Sequence, residues 1–457
     1  NMERDSIDLG TVKVSRLFRK YFIPTLIGML NIAVATTVEG VFVGHKLGND
    51  GIAAVNLVIP LMLLFTGIGL MLGIGCSVVA SIHLAKGNVK AARINVTQAF
   101  IAGSLIVILP SLLMLVFPRQ TALILGSSES LMPMTVDYLV WLLPGFLFNM
   151  WIDIGLFVIR LDGSPRVAMF SSVVAGALCV LMEWLFIFVF EWGIVGAAAG
   201  AALSMFVGAA IVAGYLVFKV KVLKFYILKW SRKSFRISMR NIGYQSRIGS
   251  SALLGEATMV VFMFVGNHVF MSYLGDDGVG AFGIACYYMP FVFMIGNAIA
   301  QSVQPIISYN YGAGNTDRVN EAFRLSVKTA IICGVASTVA FVWFPAALVA
   351  LFVDVSIPAA GIAIDGFPYI GAGFVCYVTN LAVIGYYQSV ERLTPATVFA
   401  VLRGFAILVP AFLIMPAVLG TNGMWLAMPF SEIVTFAAIV VFLVYERRKA
   451  CTRSMPR

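Results

Sequence analysis

The chain has 457 residues, of which 60% are hydrophobic and 11% charged. Soluble globular chains carry about 45–50% apolar and about 25% charged residues. The composition therefore excludes a soluble enzyme, a disordered chain and a secreted disulfide scaffold, and describes one polytopic membrane protein. The formal net charge of +10 has to be judged by where the basic residues lie.

Apolar stretches long enough to cross a hydrocarbon core of about 30 Å occur twelve times, at 22–45, 54–82, 95–117, 134–160, 166–190, 194–219, 247–272, 281–306, 324–346, 361–388, 395–416 and 423–445. In lipid each must be a helix, because its backbone polar groups have no water to bond. Of the 31 Lys and Arg, 28 fall before the first span, after the last, or in the even-numbered connections. Lys46 and Arg119 lie on the other side, and Arg403 lies inside a span. Basic loops stay cytoplasmic, so both termini are expected in the cytoplasm of a plasma (inner) membrane protein. The basic charge records topology, and no nucleic-acid partner is expected. The first apolar segment is too long for a cleaved signal peptide, and Asn1 ahead of Met2 reads as extraneous.

The chain repeats itself. Leu47-Gly48 with Asp50-Gly51 returns as Leu274-Gly275 with Asp277-Gly278, Gly87-Asn88 as Gly314-Asn315, and Gly193 with Gly196 as Gly420 with Gly423, each 227 residues later. Six spans per half make a parallel repeat about an axis along the membrane normal. The fold expected is all-α, with twelve transmembrane helices in two pseudo-symmetric six-helix bundles: an N-lobe over 1–218, a basic linker over 219–246 and a C-lobe over 247–457. The stretch 219–247 has nine basic and no acidic residues, which suits an amphipathic connector resting on anionic lipid. Two facing bundles suit a transporter that rocks one half against the other.

Ionisable residues at bilayer depth are costly and mark function by default. The candidates are Glu39, Asp153, Glu183, Glu256, Arg403 and Glu432, with Asp365 near a helix start. Glu39 and Glu183 each lie about six residues before the outer end of their spans, hence at similar depth. Two carboxylates sharing a low-dielectric cavity titrate as a coupled pair, which suits ion coupling. The alternative is a structural carboxylate satisfied by hydroxyls such as Thr36 and Thr37. Asn149 and Asp153 share a helix face at i and i+4 and either extend a polar path toward the cytoplasm or leave Asp153 near the headgroups with its charge reaching outward. Glu256 is the one acid of the seventh span and is read as lining a cavity. Arg403 and Glu432 can meet as a structural ion pair. Gly67, Gly69, Gly73 and Gly75, and Gly196 with Gly200, suit close helix packing, and Pro24 can kink the first helix.

His45, His83 and His268 have no ligand spacing, and there is no CxxC pair, so no metal, disulfide or cofactor is expected. No protease, hydrolase or nucleotide-binding motif stands in a suitable context. The chain reads as a non-enzyme driven by an ion gradient.

Val43-Gly44 through Leu47-Gly48, Arg160-Leu161-Asp162-Gly163 with Pro165, and Gly193-Ile194-Val195-Gly196-Ala197-Ala198 resemble the first half of the multidrug and toxic compound extrusion (MATE) family. Gln304-Pro305 leading to Tyr311-Gly312-Ala313-Gly314-Asn315, then Tyr387-Gln388, Leu402-Arg403 and Gly423-x-Trp425 before Pro429 and Glu432 resemble its second. The resemblance implies a monomeric antiporter that exports amphiphilic, mostly cationic compounds in exchange for H+ or Na+, with H+ favoured. It is nearest the DinF-like branch, whose N-lobe ion site implies Glu39, Glu183 and Asn149 here, with Cys179 where an asparagine is usual. The NorM-like branch implies Glu256, with Thr379 or Asn380 replacing its second acid, and Gln304 joins Glu256 and Asn380 as a substrate-cavity candidate. The alternative within transport is a flippase for a lipid-linked precursor.

Overall fold

The computed structural model describes residues 8–454, so Asn1 and Arg4 lie outside it, as does the side chain of Cys451. Among the described residues the secondary structure is helical. Eleven helices are long and apolar enough to cross a membrane: α1 Val14–Gly48, α2 Asp50–Ala85, α3 Val89–Val116, α4 Met132–Leu161, α5 Pro165–Val189, α6 Ile194–Lys219, α7 Arg232–Gly275, α8 Asp277–Gly312, α9 Thr316–Trp343, α11 Leu393–Leu419 and α12 Thr421–Lys449. The twelfth, α10, is bent by 48° between Pro358–Gly371 and Phe374–Ser389. The count agrees with the hydropathy, because exposed Leu, Val, Ile and Phe cover these helices where lipid must touch them.

The repeat is written in the backbone. Gly48 (φ 67°, ψ −157°) breaks the helix between α1 and α2, and Gly275 (φ 65°, ψ −150°) does the same between α7 and α8. Gly193 (φ 62°, ψ −135°) and Gly420 (φ 65°, ψ −143°) form the second such pair. These conformations favour glycine because a Cβ would collide with the backbone. The Asn88 side chain caps α3 by accepting from Ala91 N, and Asn315 accepts from Arg318 N at the matching place. Pro24 leaves the dihedrals of α1 helical, and between Val14 and Ala85 the one non-helical residue is Gly48.

The chain packs as two compact units. The first comprises the residues up to Glu256 with Gln301–Phe323 and Gln388–Glu391; the second comprises Ala257–Ala300, Arg324–Tyr387 and the chain from Arg392. Sequence repeat and packing thus divide the chain differently, because α7 and α8 contribute their linker-end halves to the first unit. Within that unit Asp162, fully buried, anchors the start of the linker. Its carboxylate accepts from Lys221 N, Val222 N and Leu223 N at 2.8, 2.8 and 3.1 Å, and from Tyr215 Oη at 2.7 Å. In the second unit a buried aromatic cluster of Phe262, Phe270, Phe282, Phe412 and Trp425 joins α7, α8, α11 and α12.

Candidate functional site

The first unit encloses two carboxylate groups. In one, Tyr138 on α4 donates its hydroxyl to Glu39 Oε1 on α1 at 2.8 Å, and Cys179 donates its thiol to Glu183 Oε1 one turn along α5 at 3.1 Å. Glu39 and Glu183 lie close enough for each charge to act on the other. Glu183 is fully buried, and its Oε2 has no hydrogen-bond partner among the described residues. Directly after it, α5 relaxes into a π turn over Leu185–Val189. Gly200 of α6 lets that helix press on Glu183, since a Cβ there would fall 2.9 Å from Glu183 N and 3.0 Å from its Cγ. Thr36 and Thr37 donate to Ile32 O and Ala33 O of their own helix. Each hydroxyl has one proton to give, so neither can satisfy Glu39, and Tyr138 does so instead.

Asn149 belongs to the other group. Its amide donates to Asp153 Oδ2 at 3.0 Å and to Thr66 Oγ1 at 3.3 Å. The bare backbone of α2 faces this group: a Cβ on Gly69 would meet Asp153 Oδ2 at 2.6 Å, and one on Gly67 would meet Glu256 Cβ at 3.5 Å. Asp153 and the buried Glu256 are within electrostatic reach of each other. The glycine run therefore does serve close packing, and what it admits is a pair of acids.

Arg403 and Glu432 make a bidentate ion pair in the second unit, Nη2 to Oε1 at 2.7 Å and Nε to Oε2 at 3.2 Å, with both side chains almost wholly buried. Arg403 sits on a π turn, Leu402–Ala406, and its guanidinium lies 4.5 Å from the centre of the Tyr377 ring. Asn380, fully buried, donates to Glu432 Oε2 at 2.8 Å and Glu432 O at 2.9 Å. The amide of Asn380 is thus bound to the ion pair.

Gln304 is buried in the first unit, where Ser77 donates to its Oε1 at 2.8 Å and its amide donates to Ser308 Oγ at 3.1 Å. One turn earlier on α8, Gln301 accepts from Arg160 Nη1 at 2.7 Å. The sequence shows Arg160 only as part of a motif and gives no sign of its buried bond, nor of the part played by Tyr138. By position in the sequence Arg160 belongs with the loop charges, and Tyr138 is indistinguishable from any other aromatic residue of an apolar helix.

Residues 24–185 and 252–413 match the MatE family model, once in each half of the repeat. The chain belongs to the MatE family. It is 23% identical over 443 residues to the multidrug export protein MepA of Staphylococcus aureus, covering 95% of both chains. It is also 23% identical over 446 residues to that of Staphylococcus saprophyticus, covering 93% of both. Among solved structures it resembles an outward-facing multidrug resistance MATE family transporter of the MOP superfamily, with TM-score 0.88, 21% identity and 98% and 99% of the two chains covered. A MOP superfamily transporter from Pyrococcus furiosus, described as having a binding pocket of reverse polarity, matches with TM-score 0.87 and 20% identity over 98% and 99%.

Proposed function

We propose that this chain is a multidrug exporter that exchanges amphiphilic, mostly cationic compounds for protons by alternating access. The family and the names of the MepA relatives support export. The observation that carries the coupling is the pairing of Glu39 with Glu183, one oxygen of which is buried without a partner. An ionised carboxylate in such a place is costly unless a cation or a proton neutralises it. The side chains bonded to the two acids are a phenol and a thiol, both giving hydrogen. Hard cations such as Na+ prefer carboxylate, carbonyl and water oxygens, and thiols suit softer metals. A proton needs only the carboxylates.

In this reading an ionised Glu39 or Glu183 attracts a cationic compound entering from the cytoplasm, the side of the basic linker. Protonation from the opposite side removes that attraction and releases it. Linkage makes the two ligands weaken each other's binding by the same factor. Asp153, Asn149 and Glu256 continue the acidic path within the same unit. One chain holds both carboxylate groups, which suits action as a monomer in the plasma membrane. A flippase for lipid-linked phosphates would call for a basic cavity, whereas Glu39, Glu183, Asp153 and Glu256 are acidic.

Equilibrium binding of ethidium to the detergent-purified chain at a series of pH values tests the competition. Affinity is expected to fall as pH falls, and the pH dependence to flatten in Glu183→Gln. An affinity independent of pH in the wild type would refute the reading.

A further inference from the structure

The linker packs against the N-terminal turns of α3. From Val222, whose carbonyl accepts from Lys224 N at 3.0 Å, the chain runs beside α3. Arg93 Nε donates to Val222 O at 2.7 Å, Tyr226 N donates to Thr97 Oγ1 at 2.9 Å, and Phe225 meets Phe100 edge to face at 5.2 Å. These contacts touch α3 between residues 93 and 100, and the Tyr226 ring lies back toward the start of that helix, 5.6 Å from Lys90 Nζ. From Ala99 to Val116, α3 carries no charged residue, so the Phe225 contact lies at the edge of its membrane-spanning part. Just past that contact, Ile227 is 92% exposed and Trp230 wholly so.

The chain then turns back. Gln98 Nε2 donates to Ser238 Oγ at 2.9 Å, Asn241 Nδ2 donates to Gln98 Oε1 at 3.0 Å, and Gln245 Nε2 donates to Asn95 Oδ1 at 2.8 Å. As α7 advances from 238 to 245, its partners on α3 retreat from 98 to 95. The first turns of α7 therefore lie slantwise across the end of α3 instead of projecting from it. Ser238, Asn241 and Gln245, spaced three and four apart, form the docked face. Away from those three side chains, Phe235, Arg236, Met239 and Arg240 are exposed.

An exposed face mixing basic and apolar residues, next to an exposed tryptophan at the edge of the spanning region, has the make-up of a membrane interface. Trp concentrates at headgroup level, and Lys and Arg stems lie along apolar surface while their charges reach outward. Nine basic residues without an acid select against a neutral surface. We propose that the linker is an interfacial element that seats Ile227 and Trp230 at the acyl-chain boundary and gathers anionic phospholipid headgroups around Lys224, Lys229, Lys233 and Arg236. The anchoring of Lys221, Val222 and Leu223 on Asp162 ties this contact to the end of α4.

The test uses the full chain in nanodiscs with either brominated phosphatidylglycerol or brominated phosphatidylcholine, at equal bromine content. The difference in emission between wild type and Trp230→Phe isolates Trp230. That difference is expected to be quenched at least about two-fold more by the anionic lipid, since about 1 kcal/mol per basic residue favours its headgroups by about five-fold for one residue alone. High salt in the wild type, and the combined Lys224→Gln, Lys229→Gln, Lys233→Gln and Arg236→Gln variant, should each bring the quenching down to the phosphatidylcholine level. Quenching by neither lipid overturns the insertion. Equal quenching by both, or a preference that survives salt, overturns the anionic contact.

Discussion

Ser77 and Gln304 are bonded to each other at 2.8 Å and stand 227 residues apart, at the same place in the two halves of the repeat. Both partners lie in the first unit, where the bond joins α2 to the last part of α8. Both side chains are buried.

Removing either partner should therefore be costly. Ser77→Ala or Gln304→Ala leaves a buried polar group unmatched, at about 1–3 kcal/mol. The double substitution should cost less than the two singles added, with a coupling of about 1 kcal/mol. Thermal unfolding of the four proteins in one detergent measures it, and strict additivity would mean the contact has no energetic weight.

The Arg403–Glu432 pair should behave differently from the acids of the first unit. Glu432→Gln strands a buried guanidinium, which costs about 3–5 kcal/mol, whereas an apolar replacement of both residues costs far less. Melting temperature should drop sharply in Glu432→Gln and recover in Arg403→Met with Glu432→Leu. Transport by the recovered protein should keep the wild-type pH profile. A changed profile would move this pair from scaffold to coupling.

Asp162 holds the linker by three backbone N–H groups and a phenol. Hydrogen bonds to a charged acceptor are worth about 1.5–3 kcal/mol each, so Asp162→Ala should free the segment. Trypsin should then cut after Lys221, Lys224 or Lys229 at least about ten-fold faster, because cleavage follows the population of the open form. Unchanged cleavage would place the anchor elsewhere.

Cys179 offers a test of ion choice. Cys179→Asn replaces the thiol with an amide whose oxygen can face a cation beside the unpartnered Glu183 Oε2. Efflux in this variant should acquire a component driven by a Na+ gradient, which the proposed proton coupling does not give the wild type. Proteoliposomes under a Na+ gradient alone measure it, and Na+-driven efflux by the wild type would contradict the assignment.

The helices and the repeat were legible because both rest on local signals. Lipid demands uninterrupted apolar runs, and a left-handed backbone demands glycine at Gly48, Gly193, Gly275 and Gly420. The acids stood out because lipid penalises them, and Asn149 with Asp153 could be paired by helical spacing alone. Tyr138 could not be found this way, since a phenol in an apolar helix has the same sequence signature whether it faces lipid or Glu39. Nor could the Arg160–Gln301 bond, because counting charges by side puts Arg160 in a loop while the fold buries it. The course of the linker was also out of reach. Composition marked it as basic and amphipathic, but its packing on α3 depends on contacts of Arg93, Thr97 and Phe100 across more than a hundred residues of chain.

The central claim is that Glu39 and Glu183 couple proton entry to export. The most direct measurement is ethidium movement in proteoliposomes carrying wild type or Glu39→Gln, with either a pH gradient or a Na+ gradient imposed. The account predicts movement driven by the pH gradient alone in the wild type and its loss in Glu39→Gln. Movement driven only by Na+, or movement that survives in Glu39→Gln, would contradict it and shift attention to Asp153 and Glu256.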